Sequence, residues 1–133
     1  MRPIRLVLAD DNPEVLETLA DMLQPPYLVV AALGDGNSVL QRVEALAPDV
    51  IVLDISLPDM TGFEVVRQLK KRGSSAKVIF LTVHQNIDFV RAAFDLDVAG
   101  YVFKTRISSD LVEAIKTISN GGRFSSAELS LPI

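Results

Sequence analysis

An aspartate closes the most apolar stretch of the chain. Residues 50–54 read VIVLD, so four aliphatic side chains lead directly to the carboxylate of Asp54. An unbroken run of this kind is typical of a strand that is buried on both faces. A buried charge without compensation costs several kcal/mol, roughly, even after relaxation. Either the strand reaches solvent at Asp54, or the carboxylate is placed there for chemistry.

Polar side chains also end three other apolar segments. Asp10 and Asp11 follow RLVLA, Thr82 ends KVIFLT, and Lys104 ends AGYVFK. Each residue taken alone is ordinary: a solvated acidic loop, a strand end or a surface lysine. Together they form a pattern, because parallel strands present their carboxyl ends at one edge of a sheet, where ligands bind. If strands one, three and four are neighbours, the pattern predicts that these side chains gather around Asp54.

Such a cluster suits phosphoryl chemistry. Neighbouring carboxylates repel each other, and Mg²⁺ removes the repulsion because it binds one or two carboxylates together with a phosphate. A carboxylate beside the ion can attack a phosphoryl group and form an aspartyl phosphate. The ammonium of Lys104 and the hydroxyl of Thr82 would then contact two of the transferred oxygens. The residues therefore predict Mg²⁺-dependent phosphorylation of Asp54.

The elements that must position these residues alternate along the chain. Five apolar segments predict strands, at residues 5–9, 28–32, 50–54, 77–82 and 99–104. Apolar residues at helical spacing between and after them predict five helices. Asn12 before Pro13 is placed to begin the first helix, and Asp35 to open the second. This alternation predicts a parallel sheet with helices on both faces and right-handed crossovers.

Composition excludes several classes of protein. The 133 residues fit one domain, and the absence of cysteine excludes disulfides, thiol catalysis and thiolate metal sites. His84 is the single histidine, which argues against a zinc site or a histidine-based triad. The net charge of −4 offers no footprint for nucleic acid or an anionic membrane. With no signal peptide and no stretch of about 18–20 apolar residues, the chain is predicted to be cytoplasmic, without a membrane contact.

The chain resembles the receiver domain of bacterial two-component response regulators over about residues 4–122. The matching pieces are LADDN (8–12), VIVLDISLPDMTGFEVVRQLK (50–70), KVIFLTVH (77–84) and AGYVFK (99–104). The resemblance implies an α/β fold that is flavodoxin-like (CheY-like): a doubly wound sheet of five parallel strands in the order 2-1-3-4-5, with five helices. It also implies that a sensor histidine kinase phosphorylates Asp54, and that the domain is not a turnover enzyme.

The same resemblance assigns metal and rim residues. Asp10 and Asp11 would arrange Mg²⁺, for which Mn²⁺ or Ca²⁺ can substitute, and the backbone carbonyl of Ser56 would be a further ligand. Ser56 and His84 occupy positions that tune the hydrolysis of the aspartyl phosphate in the family. Val83 stands where a smaller residue is common, so its bulk would narrow access to the phosphorylated acid.

A switch is implied as well. Lys104 would pair with the phosphate, Thr82 would be the switch hydroxyl, and Tyr101 would be the switch aromatic. On phosphorylation Thr82 would move inward and Tyr101 would rotate from an exposed to a buried position. That movement would change the surface formed by helix four, strand five and helix five. Lys104 is followed by Thr105, where many receivers have proline after a cis peptide bond, and threonine disfavours that bond by its intrinsic cost.

Residues 100–126 are similar to the NarL/FixJ (LuxR-type) branch, in which a helix-turn-helix domain normally follows the receiver. We expect a receiver domain over 1–122 and a tail or the start of a linker over 123–133, with no DNA-binding domain in this chain. Transcription would be regulated through that further domain, which would make the only contact with DNA. The implied partners are a sensor histidine kinase and a second copy, bound through helix four, strand five and helix five or through helices one and five.

Other interpretations stay open on the sequence. A stand-alone receiver, or one that has lost phosphorylation, would act as a protein-interaction module. A flavin enzyme on a similar sheet would need a Ser, Thr or Gly-rich loop where Asp10 and Asp11 stand. A haloacid-dehalogenase-type phosphatase would need an aspartate at the position of Ser56. Asp59 and Thr61 read as turn formers beside a glycine and are given no catalytic role.

Overall fold

A parallel sheet forms the middle layer of the protein, of which the computed structural model describes residues 2–128. Its six strands lie in the order β2-β1-β3-β4-β5-β6. Their bounds are β1 Arg5–Ala9, β2 Leu28–Leu33, β3 Val50–Leu53, β4 Lys77–Thr82, β5 Gly100–Phe103 and β6 Phe124–Ser125. The α/β class and the order 2-1-3-4-5 of the first five strands are confirmed.

Five α-helices connect the strands: α1 Pro13–Leu23, α2 Gly36–Leu46, α3 Gly62–Lys71, α4 Ile87–Asp95 and α5 Val112–Ser119. A 3₁₀ turn and a π-helical turn, Lys104–Arg106 and Ile107–Leu111, lead from β5 into α5. Asn12 caps α1 by accepting a hydrogen bond from Glu14 N at 3.0 Å, as predicted. Across residues 2–128, no helix has the length and apolarity needed to cross a membrane.

The sheet separates two apolar cores. Successive strand residues face opposite sides, so Leu8 packs with Ile115 and the rest of the α1 and α5 side. Leu53 packs with Val66 and the side covered by α2, α3 and α4. Every residue of β3 is at most 1% exposed. The chain therefore delivers Asp54 from its driest strand to the carboxyl edge of the sheet.

The structure has one strand more than the five predicted. β6 pairs in parallel with β5, with Phe124 opposite Gly100 and Ser125 opposite Tyr101. A strand of two residues is too short to show the alternation of apolar and polar side chains that marks a strand in the sequence. Because periodicity is lost after residue 122, the sequence predicts a tail where the structure has β6. In the fold, β6 covers the edge of β5 that would otherwise leave its backbone groups unpaired. The five-strand prediction is wrong by this one strand, and the domain boundary at 122 stays a prediction.

A buried carboxylate joins the turn before α5 to the segment after it. Asp110 is 7% exposed and accepts hydrogen bonds from Arg106 Nε at 2.8 Å, Ser126 Oγ at 2.7 Å and Ser109 Oγ at 2.9 Å. Ser126 Oγ in turn accepts one from Phe103 N at 3.1 Å. The hydrogen bond from Arg106, helped by those from the two serines, holds the pKa of Asp110 below its ordinary value.

Asp110 should make the protein sensitive to acid. Because its pKa is lowered in the folded state, the ionised carboxylate stabilises the fold above the unfolded pKa of about 3.9. That contribution is lost as the pH falls through the folded pKa. The free energy of unfolding, measured with urea near neutral pH and at about pH 3, should therefore fall less between the two pH values for Asp110→Asn than for the wild type. Equal losses in the variant and the wild type would contradict the prediction.

Candidate functional site

Three aspartates lie together at the carboxyl edge of the sheet. β1 and β3 are neighbours with Ala9 opposite Leu53, and Asp54 N donates to Ala9 O at 2.9 Å, so the residues after both strands emerge side by side. Carboxylate oxygens of Asp10, Asp11 and Asp54 lie within 4.8 Å of one another. Asp10 and Asp54 are 2% and 5% exposed, whereas Asp11 is exposed to solvent. The structure thus brings together the acids that strand-end placement predicts.

Lys104 supplies the counter-charge. Its Nζ lies 2.7 Å from Asp10 Oδ2 and 3.0 Å from Asp54 Oδ2. The contact with Asp54 is a hydrogen bond, whereas Asp10 Oδ2 is buried and finds no hydrogen bond of acceptable geometry among the described residues. Three carboxylates face one ammonium, so two negative charges remain unbalanced. This surplus of negative charge is the feature that a bound divalent cation would relieve.

The environment makes Asp54 more basic than an ordinary aspartate. Burial raises the pKa of Asp54, and the hydrogen bonds that it accepts from Ser56 N at 3.0 Å and from Lys104 only partly oppose this rise. For Lys104, burial lowers the pKa, but the close carboxylates of Asp10 and Asp54 outweigh burial and leave the pKa raised. A more basic carboxylate beside an ammonium whose pKa is raised suits a nucleophile that receives an anionic group.

The chain turns back tightly after Asp54. Ser56 and Thr61 form an isolated antiparallel bridge, and Gly62 N donates to Ile55 O at 2.7 Å. Thr61 caps α3 by accepting a hydrogen bond from Glu64 N at 3.2 Å. Residues 54–62 therefore form one hydrogen-bonded loop, which we call the acid loop. It carries Asp54 at one end and the first turn of α3 at the other.

Asp59, at the tip of the acid loop, has a role that the sequence analysis missed. Its carboxylate accepts hydrogen bonds from Gly36 N and Asn37 N, both at 2.8 Å, at the start of α2. These bonds hold the pKa of Asp59 below its ordinary value, with that from Gly36 the larger cause. The partners are more than twenty residues away, so no local pattern marks Asp59 as more than a turn former.

The predicted switch residues are both buried. Thr82 is 0% exposed and its Oγ1 accepts a hydrogen bond from His84 N at 3.2 Å. Tyr101 is also 0% exposed, and its hydroxyl donates to His84 O at 2.7 Å. Burial raises the pKa of Tyr101 to about 12, so the hydroxyl keeps its proton at neutral pH. Tyr101 thus occupies the inward position in this structure, and the backbone of residue 84 links it to Thr82.

Two of the predicted tuning residues contact each other at the rim. Ser56 Oγ lies 3.1 Å from His84 Nε2, and the His84 ring stacks on Phe89 with centroids 4.6 Å apart. Val83 is 64% exposed, so most of its side chain lies in solvent.

Thr105, the residue after Lys104, accepts a hydrogen bond at Oγ1 from the Gln85 side chain at 3.2 Å. Among the described residues the cis peptide bonds lie elsewhere, before Pro25 and Pro26.

The fold and the site define a class of protein. A doubly wound parallel sheet whose first, third and fifth strands end in acids and a lysine is the architecture of signal receiver domains. The chain belongs to the family of the response regulator receiver domain, whose family model matches residues 6–116. The recognition that the sequence motifs predict is therefore confirmed.

Proteins similar to this chain include response regulators of the LuxR family. The chain is 32% identical over 91% of its length to the transcriptional regulatory protein DegU of Brevibacillus brevis, of which it covers 52%. A LuxR-family response regulator of Aurantimonas sp. SI85-9A1 matches at a TM-score of 0.86 and 32% identity, over 92% of this chain and 89% of that one. The isolated receiver domain of RcsB from Salmonella enterica serovar Typhimurium, solved with the phosphomimetic BeF3−, matches at 0.86 and 27% identity, over 93% and 94%.

These matches define what is shared. The chain is a receiver domain of the LuxR/NarL type, and it spans about half the length of the curated relatives it matches, 52% of the first two. Receiver domains of response regulators bind Mg²⁺ at their acidic site, interact with histidine kinases, often dimerise and normally signal without turnover.

Proposed function

We propose that Asp54 accepts a phosphoryl group from a phosphohistidine of a sensor histidine kinase, or from a small donor such as acetyl phosphate. A carboxylate oxygen of Asp54 forms the new bond to phosphorus, and the bond from phosphorus to the donor nitrogen or oxygen breaks with its electron pair on the donor. The observation that carries the proposal is the convergence of Asp10, Asp11 and Asp54 within 4.8 Å, with Lys104 Nζ 3.0 Å from Asp54.

The donor set fits Mg²⁺. Asp10, Asp11 and Asp54 offer only oxygen, which Mg²⁺ prefers, and the buried Oδ2 of Asp10 has an unused lone pair. We assign the backbone carbonyl of Ser56 as a further ligand, and Mn²⁺ or Ca²⁺ as substitutes. When bound, the ion neutralises charge on the transferred group. Lys104 holds a second charge on the same group, and Thr82 is the hydroxyl donor.

The output of phosphorylation is a change of surface. A phosphate on Asp54 would draw the Thr82 hydroxyl away from His84 N and bias the equilibrium of Tyr101 toward its inward position. The surface affected is formed by α4, β5 and α5. Ile87 and Phe89 on α4 are 38% and 37% exposed, which suits a contact with a partner such as the kinase or a second copy. Dimerisation through α1 and α5 is the other arrangement.

The proposal extends to the whole protein through its relatives. The matched relatives are about twice as long as this chain, and DegU is by name a transcriptional regulatory protein. We infer that the receiver controls a helix-turn-helix domain, which makes the contact with DNA, and that the system works in the cytoplasm. The receiver occupies 1–122 in this view, and 123–133 begin the linker.

One observation favours a second function. Tyr101 is fully buried, and its hydroxyl is held inward by a hydrogen bond to the carbonyl of His84. A receiver that stays in this state would act as a phosphorylation-independent interaction module, alone or within a longer protein.

Incubation with acetyl phosphate separates the two functions. Intact-mass spectrometry should show one added phosphoryl group when Mg²⁺ is present and none when EDTA is present. Hydroxylamine, which cleaves acyl phosphates, should remove the added mass. A chain that gains no mass, and whose melting temperature does not respond to Mg²⁺, would be an interaction module.

A further inference from the structure

We propose that Asp59 is a positioning residue for phosphorylation: it holds the acid loop against α2 and so sets the position of Ser56 relative to Asp54. This inference rests on the proposed function, because it concerns the same site. Asp59 itself lies at the loop tip and is given no contact with the reacting atoms.

The first support is the pair of hydrogen bonds at the tip. The two oxygens of Asp59 accept from two different donors, Oδ1 from Gly36 N and Oδ2 from Asn37 N, both at 2.8 Å. Both donors belong to the first turn of α2, where backbone N–H groups lack helical partners and favour negative charge. Two bonds to one rigid carboxylate restrain its orientation as well as its distance.

The second support is close packing beside those bonds. Gly36 is buried, and a β-carbon added to it would lie 2.5 Å from Cγ of Met60 and 2.9 Å from its Sδ. Any residue with a side chain at position 36 would therefore push Met60 away. Met60 of the acid loop therefore packs directly against the backbone of Gly36 at the start of α2. The loop tip and the helix are held together by this packing as well as by the hydrogen bonds of Asp59.

The third support is the route from the tip to the acid. The Ser56–Thr61 bridge ties the two sides of the acid loop together, so a displaced tip moves Ser56. Ser56 N donates to Asp54 Oδ1 at 3.0 Å, and the carbonyl of Ser56 is the backbone ligand assigned above. Partners that orient metal ligands typically change metal affinity by about 10–100-fold when they are removed.

The chain offers a matched control in Asp35. Its side chain caps the same helix by accepting from Ser38 N at 2.7 Å, but it has no hydrogen bond to the acid loop among those of the described residues. Asp35→Asn and Asp59→Asn each remove one negative charge from the start of α2. Asn at 59 offers one carbonyl oxygen where two donors need two acceptors. Only Asp59→Asn should therefore loosen the loop.

The test compares the two variants in three measurements. In metal-free protein, amide hydrogen exchange at Ser56 and Gly62 should accelerate in Asp59→Asn and stay at the wild-type rate in Asp35→Asn. The Mg²⁺ dissociation constant, from titration of the melting temperature, should rise about tenfold in Asp59→Asn only. The rate of phosphorylation at subsaturating Mg²⁺ should fall with it and recover at saturating Mg²⁺.

The outcomes separate the inference from the proposed function. Equal exchange rates and equal Mg²⁺ affinities in the two variants would overturn the role of Asp59, even if both phosphorylate. If the wild type takes no phosphoryl group, the proposed function fails, whereas amide exchange in the metal-free protein still shows whether Asp59 holds the acid loop against α2. Asp59→Glu keeps the charge on a longer side chain, and wild-type behaviour from it would show that charge alone is enough, contrary to the proposal.

Discussion

The Asp54→Asn variant is expected to gain no phosphoryl mass from acetyl phosphate and, without Mg²⁺, to be more stable than the wild type. The first effect follows because the amide is a poor nucleophile at the position where the new bond forms. The second follows because Asp54 is 5% exposed and shares Lys104 with Asp10, so its ionised form is costly in the fold.

The sign of the stability effect follows from the pKa of Asp54. Burial raises it in the folded state, so the folded protein loses stability as the pH rises from the unfolded pKa through the folded pKa. Above the unfolded pKa the wild type carries this cost, and the asparagine does not. We expect a gain of about 0.5–2 kcal/mol, the range of single stabilising substitutions.

Mg²⁺ should reverse the order of the two proteins. An ion that binds only the folded state stabilises it by about 2.7 kcal/mol at a hundredfold excess over its dissociation constant. The wild type should gain this increment, and Asp54→Asn should gain less. Asp110→Asn removes another buried carboxylate, one that lies outside the site, and this variant should be less stable than the wild type but still phosphorylated. A phosphoryl adduct on Asp54→Asn would show that another residue is the acceptor.

Gly62→Ala is expected to destabilise the protein by about 1–3 kcal/mol, as overpacking typically does. An added β-carbon would lie 2.8 Å from Asp54 O, 2.8 Å from Cε1 of Phe80 and 2.9 Å from Cα of Ile55. Two of these three atoms are backbone, which cannot move aside as a side chain can. The strain falls on the acid loop, so phosphorylation should slow as well.

Gly34→Ala is the control for this variant. Gly34 has nothing within 4 Å of its added β-carbon, so its substitution should stay within about 0.5 kcal/mol of the wild type. Urea unfolding of the three proteins gives the comparison. Equal stability of Gly62→Ala and Gly34→Ala would mean that the loop relaxes freely around position 62, and the close approach of Gly62 to Asp54 would then not constrain the site.

Local signals account for the parts of the fold that the sequence predicts well. The alternation of strand and helix patterns is contained within each segment, and the caps at Asn12 and Asp35 bond two or three residues ahead. The convergence of Asp10, Asp54 and Lys104 follows from the shared edge at which parallel strands end, together with a strand order that makes β1, β3, β4 and β5 neighbours. The strand order itself came from the family resemblance.

Contacts between distant segments were beyond the sequence. The sixth strand exists because Phe124 and Ser125 find the open edge of β5, and two residues carry no pattern of their own. The Ser56–His84 contact joins residues 28 apart, and the geometry of two loops decides it.

The sequence by itself determined which side chains stand at strand ends, because burial periodicity and capping act over a few neighbouring residues. Only the tertiary structure decided which loops touch. Asp59 lies against α2 through donors 22 and 23 residues away, and the inward Tyr101 is held by a carbonyl 17 residues away. Such contacts depend on how helices pack on the sheet, to which the whole chain contributes.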